Sequence, residues 1–313
     1  MSVPDWQKFG RSDPDHALLW VRQSTDRRIA ITGMSTLYIS DLDGTLVNND
    51  AVLSPYALKE LNAMLAEGLQ LTVASARSIV SMQQMLAGLE LRLPVIGFNG
   101  AFLSDLKTGA HLHVNSMPRE IAESIIACLP AYDCAPYVST YTGAEERVYY
   151  DTVTNAGMQW YWRDRIERRD PRFRHQPRYL LAHNDAVTCI TIIHRGEVLD
   201  ALEADLISRF GTEVEIHQYE NQYSPGWYWL TVHDRRASKD QAIKVLQAHQ
   251  DLKDSRVVVF GDNKNDIKMF QAADLAVAVE NAQAQVKAHA HEVIGSNLND
   301  AVVNYLRANW TPV

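Results

Sequence analysis

The chain of 313 residues is poor in cysteine, in long apolar runs and in positive charge. Its three cysteines, Cys128, Cys134 and Cys189, fit no metal-ligand spacing. So sparse and odd a set excludes a disulfide framework and leads us to expect reduced thiols in a cytoplasmic setting. No stretch of about 18 apolar residues occurs, so no transmembrane helix is expected. The opening MSVPDWQKFGRSDPD is polar, of mixed charge, and has no apolar signal core. Lys and Arg number 30 against 38 Asp and Glu, a formal net charge of −8. That shortage of positive charge argues against broad binding to nucleic acid or to an anionic membrane surface. With 15 Gly and 11 Pro the chain is neither collagenous nor of low complexity. What is present, 46% apolar and 22% charged residues, is globular composition sufficient for one large domain or two ordinary ones.

Residues 1–33 follow neither a period of 2 nor one of 3.6, and Met34 stands just before the first clear element. Residues 1–36 are therefore read as an N-terminal extension, with Met34 the expected natural start. TLYIS, ending at Ser40, reads as a buried strand. Leu58, Leu61, Met64 and Leu65 then fall at helical spacing behind Ser54 as N-cap and Pro55 at the first helical position. LQLTVAS is a second strand, Ser78–Leu86 a helix, and LPVIGF a third strand. Strands this continuously apolar, alternating with helices, predict a parallel sheet covered on both faces.

The rhythm changes near residue 100. AFLSD and AHLHV read as a hairpin turning at Gly109. Helix 118–129, strands YVSTYTG and RVYYD, a Trp- and Arg-rich helix near 155–169, strand VTCITII, helix EVLDALEADLISRF and strands TEVEIHQY and GWYWLTV follow. The α/β rhythm then returns with helix 238–250, strand RVVVF, helix DIKMFQAA, strand LAVAV and helix AQAQVKAHA. The simplest layout is a discontinuous α/β core, 37–103 and 233–313, with an α+β domain, 104–232, inserted between its halves.

Ligands bind at the carboxyl ends of strands in open parallel sheets, so the residues following each core strand matter most. After TLYIS come Asp41, Leu42, Asp43, Gly44 and Thr45; after LQLTVA come Ser75, Ala76 and Arg77; after RVVVF come Gly261, Asp262, Asn263, Lys264, Asn265 and Asp266. Four carboxylates on one sheet edge repel one another unless a cation intervenes. Hard oxygen ligands beside a phosphate-handling loop suit Mg²⁺. Asp41 and Asp43 stand two apart, which suits a nucleophile with a neighbouring acid/base carboxylate in phosphoryl transfer. Taken singly, each feature has a bland reading: a DxD is more often a surface loop, Ser75 a turn residue, Arg77 a solvated charge, and Lys239 an exposed helix lysine behind the N-cap Ser238. Their combination in this order is much harder to explain that way.

In these motifs the chain resembles the haloacid dehalogenase (HAD) superfamily of phosphatases, in its Cof-like branch with a large α/β (type IIB) cap. The resemblance rests on DxDGT at Asp41–Thr45, on Ser75 in ASAR, on Lys239 in ASKDQAI, on GDxxND at Gly261–Asp266 and on the turn Asn99-Gly100-Ala101, and spans about residues 37–313. Ala76, Glu280 and Ala301 stand where the family commonly has glycine. The resemblance implies a Rossmann-like, doubly wound parallel core with an inserted α+β cap. It implies that Asp41 attacks phosphorus and becomes a phospho-aspartate, and that Asp43 serves as acid and base. It implies Mg²⁺ held by Asp41, the Asp43 carbonyl and Asp262, with Asp266 close by, and phosphoryl oxygens contacted by Ser75, Lys239 and Asn265. Arg77 and Asn99 join these as candidate substrate-binding residues. The expected substrate is a small phosphorylated metabolite, most simply a sugar phosphate. A phosphotransferase or mutase on the same core is the alternative, and a non-enzymatic phospho-receiver a weaker one, since a receiver needs no lid. The run RDRIERRDPRFRHQPR after Trp160-Tyr161-Trp162 is read as a solvated helix and loop with Trp160 packed in the cap core; the sharper reading gives one or two of its arginines to a second anionic group on the substrate.

Overall fold

The structure, a computed structural model, describes residues 35–221 and 224–312. The expectation about residues 1–33 and Met34 falls outside them. In chain order the core opens with β1 (Thr36–Ser40), α1 (Pro55–Ala66), β2 (Gln70–Val73), α2 (Ile79–Met85) and β3 (Val95–Gly97). A hairpin, β4 (Phe102–Ser104) and β5 (His111–Val114), is followed by α3 (Arg119–Cys128), β6 (Pro136–Tyr141), β7 (Glu146–Tyr150) and α4 (Ala156–Glu167). Then come β8 (Phe173–His175), β9 (Ala186–His194), α5 (Gly196–Phe210), β10 (Val214–Glu220) and β11 (Tyr228–Asp234). The chain closes with α6 (Lys239–His249), β12 (Arg256–Gly261), α7 (Ile267–Ala272), β13 (Leu275–Ala278), α8 (Ala284–Lys287), β14 (Glu292–Val293) and α9 (Ala301–Asn309).

The local reasons for these elements are visible in their residues. The Ser54 hydroxyl accepts the Ala57 N–H at 2.9 Å and caps α1, whose buried stripe is Ala57, Leu61, Met64 and Leu65. In β1, Leu37 and Ile39 on one face and Tyr38 on the other are all buried, as expected for a strand covered on both sides.

The core sheet has the order β14-β13-β12-β1-β2, and every pair in it is parallel. The chain leaves β1 for β2 on one side, and later lays β12 on the other. The carboxyl ends of β1 and β12 therefore flank a switch point, where helices depart in opposite directions and leave a crevice. This is the α/β architecture that the alternating pattern predicts.

One strand departs from that pattern. The sequence reads β3 as a third parallel strand, and it meets the β2 end through one parallel bridge, Ala74 to Ile96, and through the Thr72 hydroxyl donating to the Pro94 carbonyl. It pairs antiparallel with β4, and β4 with β5, in a separate small sheet. Hairpin β4–β5 thus extends β3, and the expected boundary at 103–104 falls inside β4.

The second large sheet has the order β10-β11-β9-β6-β7-β8 and is antiparallel except for β7–β8. One face packs Val138, Ile190, Ile192, Leu230 and Val232 against Ala122 and Ile125 of α3 and Leu199, Leu202 and Leu206 of α5. The other face carries Tyr137, Ile193 and Trp229 against Met158, Tyr161 and Trp162 of α4. Trp160, expected in the cap core, is 38% exposed and only meets the edge of Trp229; Met158 is buried in its stead. The arginine run contains a short strand, β8, which its charge had hidden. Arg172, just before it, is buried between Asp170 and Glu146, and Glu146 in turn meets His111. Among the described residues no helix is long and apolar enough to cross a membrane.

Candidate active site

The β1 ladder runs one residue past the strand, through the Asp41 N–H to the Phe260 carbonyl at 2.9 Å. This aims Asp41 into the crevice between β1 and β12. Lys239, at the first position of α6, reaches the same point with a side chain wholly shut off from solvent. Its Nζ lies 2.6 Å from Asp41 Oδ1 and 2.6 Å from Asp266 Oδ1. Asp266 Oδ2 accepts the N–H groups of Asp262 and Asn263 at 2.9 and 3.0 Å, so this carboxylate closes its own loop as well as holding the lysine. Thr45 donates its hydroxyl to Asp262 Oδ1 at 3.0 Å.

Carboxylate oxygens of Asp41, Asp262 and Asp266 lie within 4.8 Å of one another. Burial lifts the Asp41 carboxyl well above the usual range; Lys239 pulls it down, and the charges of Asp266 and Asp262 push it up further. Burial, and then Asp266, hold Asp262 up at about 7. Burial works against the Lys239 ammonium, but Asp266 and Asp41 outweigh it and raise its pKa above the ordinary value. Three crowded carboxylates and one lysine leave an excess of negative charge, which a divalent cation would relieve. The packing leaves no slack for larger residues. Gly44 has φ +76°, and a Cβ there would stand 2.6 Å from Asp262 Oδ2; a Cβ on Gly261 would stand 2.6 Å from Asp266 Oδ2.

The remaining candidates fall around this centre with different partners. Asp43 does not join the three-carboxylate cluster. It is gripped by Arg77 in a two-pronged pair, Nε to Oδ2 at 2.7 Å and Nη2 to Oδ1 at 2.6 Å. The structure therefore gives Arg77 to Asp43, where the sequence had placed it among the substrate contacts. Asn99 likewise sits behind the site: buried, at φ 54°, it accepts from Asn265 Nδ2 at 2.9 Å and thereby orients the Asn265 side chain. Ser75, also buried, accepts the Arg77 N–H at 3.2 Å, and its carbonyl accepts the Asn99 N–H.

Two further groups were not singled out from the sequence. Asn281, just past the end of β13, donates to the Gly44 carbonyl at 2.7 Å and accepts from the Asn297 N–H, which ties the Asp41 loop to the far end of the sheet. The strand-end rule applied to LAVAV would have found it. Tyr219 and His217 of the cap are the second group; Asp43 and Arg77 act electrostatically on the first, and Lys239 on the second. No sequence spacing points to them, because the cap's position over the core is not written locally.

The arginines of the 163–178 run are largely taken up within the cap. Arg172 pairs with Asp170 and Glu146, Arg168 with Asp164, and Arg174 with Glu145. Arg165 meets Asp164 and Asp170 and stacks its guanidinium over Tyr161 at 4.9 Å.

This geometry has a counterpart in known proteins. The family described as haloacid dehalogenase-like hydrolase matches residues 38–306. The chain belongs to that family. Pyridoxal phosphate phosphatase YbhA of Escherichia coli is 27% identical over 281 residues, 87% of this chain and 98% of that protein. The crystal structure of TM0651 from Thermotoga maritima superposes with TM-score 0.69 at 26% identity, covering 89% of this chain and 98% of that one. The HAD subclass IIB sugar phosphatase BT4131 shares the fold at TM-score 0.67 and 21% identity, covering 88% of this chain and 98% of its own. The chain is thus a HAD-like phosphatase, a phosphoric monoester hydrolase acting on small phosphate compounds, built as a parallel α/β core with a cap.

Proposed function

We propose that this phosphatase hydrolyses small phosphomonoesters, sugar phosphates and similar ring phosphates among them, through an acyl phosphate formed on Asp41. The observation that carries the reading is the Asp41–Lys239–Asp266 triad, buried at the switch point of the sheet with Asp262 beside it. Asp41 Oδ attacks phosphorus in line, the leaving alkoxide departs, and a phospho-aspartate remains. Asp43 donates the proton to that alkoxide, then takes one from the water that hydrolyses the acyl phosphate. In the structure Arg77 occupies both Asp43 oxygens, so Asp43 gives up one of these contacts when it carries the proton. Lys239 and the amide of Asn265 stabilise charge spread over the phosphoryl oxygens, which is most of what such a transfer requires. Asp41 and Asp262 are the natural holders of Mg²⁺, with Asp266 adjoining but engaged by Lys239 and two backbone N–H groups. When bound, the ion neutralises the crowded carboxylates and polarises the phosphoryl group.

Small leaving groups fit the relatives: the E. coli protein is named for pyridoxal phosphate and the neighbouring structure for sugars. Phosphoryl transfer to a second hydroxyl is the alternative outcome on the same core, and product analysis with a competing sugar acceptor separates the two. The direct test is Asp41→Asn assayed on p-nitrophenyl phosphate with and without Mg²⁺. The variant folds and turns over no substrate; Mg²⁺-dependent hydrolysis close to the wild-type rate would remove Asp41 from the nucleophile's role.

A further inference from the structure

The chain passes between the parallel core and the inserted segment twice, at residues 115–117 after β5 and at 235–238 after β11. One side chain joins the two crossings. Asn115 is 5% exposed, and its Nδ2 donates to the Gly100 carbonyl at 3.0 Å and to the Arg236 carbonyl at 3.4 Å. Its Oδ1 lies 3.2 Å from His113 Nε2, and its backbone N–H reaches the Ala101 carbonyl at 2.8 Å. Arg236 returns the link, with Nη2 donating to the Ser116 carbonyl at 3.1 Å. Ala101, Phe102 and Ala237 fill the space between as a small apolar cluster, with Phe98, Val114 and Tyr141 against it.

The turn that Asn115 holds is strained. Phe98, Asn99 and Gly100 have φ of 45°, 54° and 110°, consecutive residues in a region that side-chain-bearing residues rarely adopt. Such a backbone persists only where its surroundings over-determine it. The same turn borders two groups of the site. Asn99 Oδ1 accepts from Asn265 Nδ2 at 2.9 Å. Gly100 lies so close to Ser238, the residue before Lys239, that a Cβ on it would stand 2.6 Å from the Ser238 carbonyl oxygen. One buried amide therefore fixes both the turn against which α6 begins and the chain that leads into it. Lys239 has little room to compensate for a shift there, since its Nζ is already held at 2.6 Å by Asp41 and by Asp266.

We propose that Asn115 is a positioning residue for phosphoryl transfer. Through the Gly100 and Arg236 carbonyls it sets where Lys239 and the Asn265 amide stand against the phosphoryl oxygens, and it keeps both in register with the two crossings into the cap. It touches neither the substrate nor the reacting atoms. The inference rests on the phosphatase reading above, in which Lys239 and Asn265 meet the transferring group. Donors aimed at charge that develops in the transition state act on kcat more than on substrate binding. Misplacing them by about 1 Å costs up to roughly 10²-fold in rate.

The test measures kcat and KM in Mg²⁺ on p-nitrophenyl phosphate and acetyl phosphate, with orthovanadate as the mimic of the phosphoryl group in transfer. Asn115→Ala removes the donor, and Asn115→Asp keeps the size but sets a carboxylate against two carbonyls. Gly100→Ala disturbs the same turn from the Ser238 side. Each variant lowers kcat by roughly ten-fold or more, leaves KM within about three-fold, and weakens vanadate inhibition in step with the loss of kcat/KM. A merely structural role lowers the melting temperature and the amount of active enzyme. It leaves the ratio of KM to the vanadate inhibition constant at its wild-type value, because neither constant depends on how much enzyme is active. A wild-type kcat, or an unchanged ratio, in the folded Asn115 variants overturns the inference and leaves the phosphatase reading intact. Wild type inactive on both probes overturns the phosphatase reading and the inference with it. Thermal melting verifies folding, and Asn115→Ser, which keeps one shorter donor, is read by the same criteria if the other two Asn115 variants do not fold.

Discussion

At the scale of single residues the site is a problem in burying charge. Lys239 is the first residue of a helix, a place where a lysine is ordinarily solvated, yet it is fully enclosed between two carboxylates. Removing one partner of a buried pair leaves the other uncompensated, at about 3–5 kcal/mol. Lys239→Ala is therefore expected to do two things at once. It lowers kcat by roughly 10²–10³, the range for losing one donor to developing charge, and it lowers stability in urea unfolding by a few kcal/mol. A kinetic defect without any stability change would mean that Asp41 and Asp266 relax into solvent. Gly44→Ala addresses backbone rather than charge. With φ +76° and Asp262 Oδ2 only 2.6 Å from the added Cβ, the substitution must displace Asp262. A matching loss of activity and of Mg²⁺ affinity, measured by titration, is expected; wild-type values for both would show that the loop accommodates the methyl group.

That Asp41, Asp262, Asp266 and Lys239 meet was legible, since each follows a core strand or opens a core helix. The partners of Arg77 and Asn99 were not. Sequence order does not say whether Arg77 meets a phosphate or Asp43, nor whether Asn99 faces the substrate or backs Asn265, because both outcomes fit the same strand ends.

At the scale of elements, apolar period and capping residues were sufficient for most helices and strands. They failed where pairing decides the outcome. LPVIGF has the composition of a parallel core strand, but β3 is held by the antiparallel hairpin that follows it. β8 is three residues long and lies among arginines, so no alternation could reveal it. Trp160 looked like core by type, yet Met158, two residues earlier on α4, takes the buried position.

The cap sheet also carries a pH dependence that can be measured. Burial pushes His233 down to about 4, against the Thr188 carbonyl that accepts from its Nδ1, and with Cys189, Phe98 and His217 around it. Its neighbour His217 is pushed down to about 3. Unfolded histidines titrate near 6.5, so the unfolded chain binds more protons than the folded one below that value. The two histidines' contribution is fully present above about pH 6.5 and is lost as the pH falls toward 4, at up to about 1.4 kcal/mol per pH unit for each. Urea unfolding at pH 7.5, 6 and 5 shows this fall, and His233→Gln flattens it; an identical slope in the variant would place the dependence elsewhere.

At the scale of the whole molecule, a parallel sheet supplies a crevice of carboxylates, and the antiparallel sheet meets the core through Glu215 with Lys268 and His233 with Phe98. The net charge of −8 belongs to the whole chain, whereas substrate attraction depends on the local balance between one buried lysine and the carboxylates crowded round it. The α/β core with an inserted α+β segment could be read from the change of rhythm near residue 100. How the insert sits over the core could not, since that is decided by contacts such as Glu215 with Lys268, far apart in the chain. The central claim is that Asp41 bonds to phosphorus. The most direct measurement is acid quenching of the enzyme during steady-state turnover, followed by peptide mapping of the acyl phosphate after borohydride reduction. The account predicts a phosphoryl group on Asp41 that is absent without Mg²⁺ and in Asp41→Asn. Full turnover with no covalent phosphate, or with the label on another residue, would contradict it.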